Sequence, residues 1–428
     1  MDEKANLHGR PLRLLVAAFG DAGHAFPAIA LARELSGRGH DVLVETWDHW
    51  REAVTGAGLR FTAAEEYQVF PPPPPDASEG RTAADAARSL LPLMEDFDPD
   101  VVVSDILTLA PALAAEAAGK RWATLIPHVY PVHEPGLPFF ATGVGPPRTA
   151  FGRASWKAWL PLLETGLRRG RDELNQTRAR IGLVPLERFH GGISPDLAIV
   201  ATYPQLEYSR AWPAEVRVTG PLLFEQPSDE VELPPGDEPL VLVAPSTAQD
   251  PECRLVRAAL EALASEPVRV IATTNRHRPP RPIEVPANTV LLDWLSYSQV
   301  MARADAVVCH GGHGTMVRAL AAGVPVLCCP AVGDMVENAM RVAWAGCGLS
   351  LPWRLTQPRP LRWAVRELLA EPRYRERAAE LAQWSEANDG ASRAADEVER
   401  IADGPGPKTS NPSPSETPPP GLEPGLLD

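Results

Sequence analysis

An alternation of short apolar runs with helix-like segments constrains the fold of this chain more than any other feature. Residues 12–19 are mostly apolar, a glycine-containing turn follows, and Pro27 is predicted to open a helix, because proline suits a first helical turn. A second apolar run at 42–46 completes a β-α-β unit. Further strands are predicted at 101–104, 123–126 and 197–200, with a helix at 110–118. Such a series is typical of a doubly wound parallel sheet.

The alternation stops at an acidic, proline-rich stretch and then begins again. Residues 221–239 have the composition of an interdomain linker. Beyond them the sequence predicts strands at 240–244, 268–272, 290–292, 306–309 and 324–328 and helices at 251–264 and within 361–401. We therefore predict an α/β protein with two Rossmann-like doubly wound domains, at residues 1–220 and 240–402. The Pro/Ser/Gly-rich residues 403–428 are predicted to form a disordered tail.

The length, charge and cysteine content of the chain narrow its possible functions. At 428 residues it is too long for one ordinary core, and two domains imply a cleft between them. A formal net charge of −14 argues against nucleic acid as a partner, since phosphate backbones are bound by clustered positive charge. The five cysteines form no CxxC pair, which indicates a reducing, cytoplasmic compartment. No apolar run is long enough to predict an integral membrane segment.

The strongest chemical signal is the turn His310-Gly-Gly-His-Gly-Thr315, which lies between a predicted strand and a predicted helix. Glycines in such a turn let backbone amides approach a ligand, and the start of a helix adds free N–H groups and a favourable dipole. His310 and Thr315 are placed to donate hydrogen bonds to phosphate oxygens. The turn therefore predicts a diphosphate site that needs few basic side chains. A tight turn without a ligand is the alternative.

A matching turn in the first domain carries a histidine suited to act as a base. His24 lies in Gly23-His-Ala-Phe-Pro27 and is expected at the carboxyl edge of the first sheet, where ligands of open α/β folds bind. Histidine has a pKa suited to proton abstraction near neutral pH. Asp105 follows a predicted strand, so its carboxylate should emerge at the same edge and orient the imidazole. The two residues predict a catalytic pair, whereas a lone histidine would more often be a solvated loop residue.

Metal and redox chemistry are less consistent with these turns. His310 and His313 have HxxH spacing, but no cysteine or acidic residue completes a ligand set, so we predict no metal and no other cofactor. A dinucleotide oxidoreductase would need GxGxxG at a first turn, which is absent. Segments 71–75 and 131–148 are predicted surface loops, and the second carries aromatic residues that could contact a substrate.

Together these residues resemble the nucleotide-sugar glycosyltransferases of the GT-B fold, the family that includes plant UDP-glycosyltransferases and bacterial natural-product glycosyltransferases. The most specific stretch runs from Trp294 through the glycine-rich turn and Ala322-Gly-Val-Pro325 to Gly333-Asp-Met335 and Asn338. The resemblance extends to about residue 401. It implies two Rossmann-like domains that face each other across a cleft, with the C-terminal helix crossing back to the first domain.

The resemblance also implies roles for the matching residues. His24 would be the general base and Asp105 its partner. In the second domain Trp294 would stack on the nucleotide base, His310 and Thr315 would bind the diphosphate, and Asp334 would accept hydrogen bonds from sugar hydroxyls. The implied donor-binding set comprises Ser246, Thr247, Trp294, His310, Gly312, Gly314, Thr315, Arg318, Asp334, Met335 and Asn338.

Two positions depart from the family pattern. Met335 stands where many members have glutamine, and a thioether cannot make the same hydrogen bonds, which leaves the donor sugar open. Arg318 stands where plant members have the glutamate that holds the ribose hydroxyls. Arginine cannot accept those bonds, so either the ribose is held otherwise or Arg318 contacts a phosphate or an acidic sugar.

The implied activity is inverting transfer of a hexose from a UDP- or dTDP-sugar to a small, apolar or aromatic acceptor. The expected partners are therefore the nucleotide sugar and the acceptor, with no nucleic acid. Two alternatives stay open at this point. One is a sugar-nucleotide epimerase of the same fold, and the other is a non-catalytic protein that binds a nucleotide sugar.

Overall fold

The first half of the chain forms a seven-stranded parallel sheet in the order β3-β2-β1-β4-β5-β6-β7. The computed structural model describes residues 10–65, 82–187, 192–227, 230–246 and 250–404, so the predicted loop at 71–75 lies outside the described residues. The strands of this sheet are β1 (Arg13–Ala17), β2 (Asp41–Thr46), β3 (Arg60–Ala63), β4 (Val101–Asp105), β5 (Arg121–Ile126), β6 (Leu197–Val200) and β7 (Val216–Val218). The central strands are buried on both faces, which explains their continuous apolar runs.

Helices cover both faces of this sheet. They are α1 (Ala22–Gly37), α2 (Arg51–Gly56), α3 (Ala83–Asp96), α4 (Leu109–Ala117), α5 (Ala150–Ala158) and α6 (Leu160–Arg180). The predicted start of α1 at Pro27 is wrong, because the helix begins at Ala22 and contains Pro27. A proline this close to a helix start removes only one backbone hydrogen bond, so the helix tolerates it. The sequence patterns also did not predict α5 and α6, most of whose residues are exposed.

The second half forms a six-stranded parallel sheet in the order β10-β9-β8-β11-β12-β13. Its strands are β8 (Leu240–Ala244), β9 (Arg269–Thr273), β10 (Thr289–Leu292), β11 (Ala306–Cys309), β12 (Val326–Cys328) and β13 (Gly348–Ser350). Its helices are α7 (Arg254–Leu263), α8 (Tyr297–Met301), α9 (His313–Ala321), α10 (Asp334–Ala345), α11 (Pro358–Ala370) and α12 (Pro372–Ala387). Two doubly wound α/β sheets are therefore present, as the sequence predicted.

The chain order of each sheet reverses at one point. In the first sheet β1 pairs with both β2 and β4, and in the second sheet β8 pairs with both β9 and β11. At such a point, the connections that follow two adjacent strands run to opposite sides of the sheet. They leave a crevice at the carboxyl ends of the strands, where ligands of these folds bind. The segments after β1, β8 and β11 carry His24, Ser246 and the glycine-rich turn, and Asp105 ends β4.

The last helix, α13 (Gly390–Asp403), crosses back to the first domain, as predicted. Its apolar residues Ala394, Ala395, Val398 and Ala402 are part of the same core cluster as α1 and β1. Its Glu399 is fully buried and bonds His40 at 2.8 Å and Arg38 at 3.1 Å. The segment predicted as helical at 361–401 thus divides into α11, α12 and α13, and only the last packs on the first sheet.

Candidate active site

A cleft of about 330 Å³ lies between the carboxyl edges of the two sheets. The first domain contributes residues after β1, β4 and β5, and the second contributes residues after β8, β9, β10 and β11 and the start of α10. Ten of the predicted site residues line it: His24, Ser246, Trp294, His310, Gly312, Gly314, Thr315, Arg318, Asp334 and Met335. The structure therefore brings together, from both domains, residues up to 311 positions apart in the chain.

His24 lies in the first turn of α1 and is held by Asp105 at the end of β4. Its Nδ1 atom is 2.8 Å from Asp105 Oδ2, and Asp105 Oδ1 accepts a hydrogen bond from the Leu107 amide. The Asp105 side chain is fully buried, and the His24 side chain is 15% exposed. Because a carboxylate can only accept a hydrogen bond, the neutral His24 ring carries its proton on Nδ1 and keeps a lone pair on Nε2. This is the orientation that a histidine base requires.

The pKa of His24 is set by burial and by the carboxylates around the ring. Burial is the largest influence and lowers the pKa of His24, but the Asp105 carboxylate, with smaller help from Asp21 and Asp334, more than offsets it. The pKa of His24 is therefore raised above its usual value. Asp334 belongs to the second domain, so its effect shows that the two walls of the cleft are electrostatically coupled.

The glycine-rich turn follows β11 and leads into α9. Gly311 has φ of +84°, and a Cβ there would lie 3.0 Å from the Met335 carbonyl oxygen, so only glycine fits without strain. Helix α9 begins at His313, and the helix N-terminus with its unpaired amides is directed at the cleft beside Gly314 and Thr315. The turn has the backbone geometry of an anion site.

His310 is fixed by its own hydrogen bond at the end of β11. Its Nδ1 donates to the Ala244 carbonyl at 3.4 Å, across the switch point of the second sheet. Burial lowers the pKa of His310, with partial opposition from that hydrogen bond and from Asp334. A neutral ring that donates from Nδ1 presents Nε2 as an acceptor. As long as Nδ1 keeps this hydrogen bond, His310 donates to phosphate only when Nε2 takes up a proton.

Asp334 is the first residue of α10 and lines the cleft beside Met335. The buried Asn338 one turn later donates to Asp334 Oδ2 at 3.3 Å and to the Gly311 carbonyl at 3.0 Å. Asn338 does not line the cleft, unlike the other described members of the predicted donor-binding set. Its contacts make it a positioning residue that ties the glycine turn to α10.

Trp294 and Ser246 also reach the cleft, from the ends of β10 and β8. The Arg276 guanidinium lies over the Trp294 ring at 4.7 Å from its centroid and covers one face of the indole. Ser246 follows β8 and is buried in the wall. Thr247, which was predicted to lie next to it, falls outside the described residues.

Arg318 has partners from the interdomain linker. Its guanidinium donates to the Phe224 carbonyl at 2.6 Å and lies 3.8 Å from Glu225 Oε1. Glu225 lines the cleft as well, and it also accepts from the amides of Tyr297 and Ser298. The charge of Arg318 is thus balanced by Glu225 within the protein.

Sequence reasoning missed several residues of the cleft. His128 lies two residues after β5, with its ring 6.2 Å from that of His24, and its Nδ1 donates to the Val129 carbonyl. Its place at the carboxyl end of a strand is the same signal that identified Asp105. Asn275 and Tyr297 bond each other at 3.1 Å in the wall of the second domain, and their sequence context carried no such signal.

In the described part of the chain, no three His, Cys, Asp or Glu side chains group closely enough to hold a metal ion. None of the helices within the described ranges is long and apolar enough to cross a membrane.

Two doubly wound α/β domains, with their switch points facing each other and a glycine-rich turn at the start of α9 in the second, define the class of GT-B glycosyltransferases. Comparisons with known proteins agree. Residues 257–400 match the family described as "Erythromycin biosynthesis protein CIII-like, C-terminal domain". The chain is 31% identical to 4'-demethylrebeccamycin synthase of Lentzea aerocolonigenes, over 91% of this chain and 99% of that protein.

Solved structures show the same fold. The glycotransferase of kitacinnamycin superposes with a TM-score of 0.71 at 23% identity, over 92% of this chain and all of the other. Glycosyltransferase VinC, solved in complex with dTDP, gives 0.66 at 19% identity, over 92% and 100% of the two chains. The chain belongs to the natural-product glycosyltransferase family that includes 4'-demethylrebeccamycin synthase, and it is a glycosyltransferase.

Proposed function

We propose that this glycosyltransferase moves a hexose from a UDP- or dTDP-sugar to a small, apolar or aromatic acceptor with inversion at the anomeric carbon. The observation that carries the proposal is the His24–Asp105 pair, which shares one cleft with the glycine-rich turn of the opposite domain. A base on one wall and an anion site on the other fit a reaction that joins an acceptor hydroxyl to a sugar and releases a nucleoside diphosphate.

The proposed step is a single displacement. His24 Nε2 takes the proton of the acceptor hydroxyl while the hydroxyl oxygen forms a bond to the anomeric carbon. The bond between that carbon and the diphosphate oxygen breaks, and the electron pair leaves with the diphosphate. Attack from the face opposite the leaving group inverts the configuration.

The second domain is proposed to hold the donor. Trp294 stacks on the base with the face that Arg276 leaves uncovered, and Ser246, Thr315 and the amides of the glycine-rich turn bind the diphosphate. Asp334 accepts hydrogen bonds from the sugar hydroxyls, and Asn338 keeps its carboxylate in place. The dTDP bound in the related VinC structure supports a nucleotide at this cleft.

The leaving diphosphate is proposed to be stabilised by the start of α9 and its preorganised amides rather than by a metal ion. The test is a mass-spectrometric assay with UDP-glucose and dTDP-glucose against a panel of phenolic and macrolide acceptors, with and without EDTA. We expect a mass gain of one hexose that the chelator does not reduce. Loss of product with EDTA, restored by a divalent cation, would contradict the metal-independent mechanism.

Replacing His24 tests the base directly. His24→Ala should lower turnover by about a hundredfold to ten-thousandfold and leave UDP affinity nearly unchanged, because the ring acts on the acceptor proton. His49→Ala is the matched control, since His49 is exposed and lies outside the cleft. Near-normal turnover in His24→Ala would exclude His24 as the base. Binding of UDP by the wild-type protein without transfer to any acceptor would favour a binding protein.

A further inference from the structure

A second cavity, of about 170 Å³, lies in the first domain next to the cleft. It is at the carboxyl ends of β1, β2 and β3 and is enclosed by α3 and the start of α4. Most of its wall is apolar, formed by Ala18, Phe19, Trp47, Ala63, Leu90 and Leu93. A cavity of this size and lining fits one aromatic ring or a similar apolar group.

One buried carboxyl group faces this apolar space without a partner. Glu45, near the end of β2, is 3% exposed, and its Oε2 atom has no hydrogen-bond partner among the described residues. The hydroxyl of Thr108, which also lines the cavity, is likewise buried and unpaired within the described ranges. Buried polar atoms are nearly always paired, so two unpaired groups on one cavity indicate a ligand that supplies the missing hydrogen bonds.

The electrostatics of the cavity favour a positive ligand. Burial, with a smaller effect from the charge of Glu65, raises the pKa of Glu45 to about 8. Glu45 and Glu65 are the titratable side chains among the described residues of the wall, and no described cation lines it. An ammonium group would be attracted to both carboxyl groups and to the rings of Phe19 and Trp47.

The cavity is adjacent to the proposed base. The Phe19 ring packs edge-on against Trp47 at 4.9 Å on one side and contacts the His24 ring at 6.0 Å on the other. The Trp47 ring can take this place because residue 20 is glycine, where a Cβ would overlap the indole. A group held in the cavity therefore lies one aromatic ring away from His24.

We propose that this cavity is the subsite for an acceptor that carries a protonated primary or secondary amine on an aromatic or apolar body, with Glu45 as the partner of the ammonium group. The identification of the ligand as an acceptor rests on the proposed function, whereas the amine site does not. Thr108 accepts a second N–H of the ammonium group.

Binding changes the protonation of Glu45 in a defined way. Below about pH 8 the empty site holds Glu45 largely as the neutral acid. When the ammonium ion binds, Glu45 loses its proton to solvent and forms an ion pair, while the amine keeps its charge. Amine binding therefore releases a proton, and binding of a neutral analogue does not.

The experiment compares tyramine with tyrosol, which has a hydroxyl group in place of the amine. Isothermal titration calorimetry of the full chain at pH 7, in buffers of different ionisation enthalpy, gives both the affinity and the number of protons released. We expect tyramine to bind at least about tenfold more tightly than tyrosol and to release close to one proton. Equal affinity of the wild-type protein for the two probes, or tighter tyramine binding without proton release, would overturn the proposal.

Two variants assign the effect to Glu45. Glu45→Gln should abolish both the preference for tyramine and the proton release, and a neutral amide in place of a neutral acid should leave the fold intact, which thermal unfolding at pH 7 checks. Glu52→Gln makes the same change at an exposed site on α2 and should behave like the wild type. A preference that survives Glu45→Gln would refute the role of this residue.

The outcomes also separate this proposal from the proposed function. Selective amine binding, together with failure to transfer sugar to any acceptor, would refute the proposed transfer reaction and leave the amine site standing. Sugar transfer by a protein that binds tyramine and tyrosol equally would refute the amine site alone.

Discussion

A single side chain, His24, carries the proposed chemistry, and its properties are set by the residue behind it. The bond from Nδ1 to Asp105 fixes the tautomer, and the buried carboxylate raises the pKa of the ring. A base must be unprotonated to act. The same contact that orients His24 therefore also determines the pH range in which the enzyme works.

The first residue-scale prediction concerns this pH range. We expect kcat/KM to rise with pH to a plateau, with a midpoint above the usual histidine value of about 6.5, because the neutral ring is the active form. Asp105→Asn should move the midpoint to lower pH and reduce the plateau by on the order of a hundredfold, since the amide holds no charge and does not enforce the tautomer. A pH–rate profile of both proteins measures this. An unchanged midpoint in the variant would contradict the assigned cause.

The second residue-scale prediction concerns donor binding. Burial lowers the pKa of His310, and while Nδ1 donates to the Ala244 carbonyl the ring needs a second proton, on Nε2, to donate to phosphate, so binding should take up a proton. The affinity for UDP-glucose, whose diphosphate keeps its charge near neutral pH, should fall as pH rises, by up to about tenfold per unit. Calorimetric titration at several pH values measures it. In His310→Asn the pH dependence should vanish, and a slope equal to that of the wild type would exclude His310.

At the scale of elements, the inner strands were predictable, whereas three of the four edge strands of the two sheets were not. Strands β6, β8 and β11 have the bounds that the sequence predicted, because a strand buried on both faces is a continuous apolar run between polar turns. The missed strands β3, β7 and β13 have three or four residues each and are partly exposed, so they carry little apolar signal. The exposed helices α5 and α6 escaped detection for the same reason.

Helix α13 supports an element-scale prediction. Glu399→Ala should lower the free energy of unfolding by about 1–3 kcal/mol, because it leaves the buried His40 ring without the acceptor for Nε2 and removes one of the three carboxylates that Arg38 contacts. Glu386→Ala removes an exposed glutamate from α12 and is the control, with an expected change within about 0.5 kcal/mol. Urea unfolding followed by circular dichroism measures both variants. Equal stability of the two would show that the buried pair does not anchor α13.

At the scale of the whole molecule, the cleft is only partly visible in the sequence. Within the glycine-rich turn, and within the turn around His24, the residues are consecutive in sequence, so local patterns identified both turns. The places of Glu225 and Asn275 in the cleft, and of Glu45 in the second cavity, depend on contacts with segments far away in the chain. The contact of Glu225 with Arg318 is one example. No local spacing encodes such a contact, and only the folded arrangement reveals it.

Arg341 of α10 joins the two domains beneath the cleft. It is buried, bonds Glu337 at 2.8 Å within its own helix, and reaches Glu207 at 3.0 Å and the Leu206 carbonyl in the first domain. Its guanidinium also lies 3.5 Å from the centroid of the Tyr208 ring. This side chain therefore contributes to fixing the relative position of the two walls of the cleft.

Removing this link should affect the molecule as a whole. Arg341→Met should lower the free energy of unfolding by about 3–5 kcal/mol, since Glu207 and Glu337 stay buried without a cation. Arg341→Lys keeps the charge but loses the planar contacts of the guanidinium, so its loss of stability should be smaller than that of Arg341→Met. Scanning calorimetry of the three proteins ranks them. A Met variant as stable as the Lys variant would show that the charge contributes nothing to the junction.

The return of α13 to the first sheet bears on how enzymes of this architecture can be recombined. A hybrid joined only at the linker would place the last helix of one parent against the first domain of the other, where Glu399 must meet His40 and Arg38 in a closed interior. A functional exchange of donor modules therefore needs two junctions, one at residues 221–239 and one between α12 and α13. In recombination terms, the second domain is an internal cassette, and helix α13 travels with the first domain.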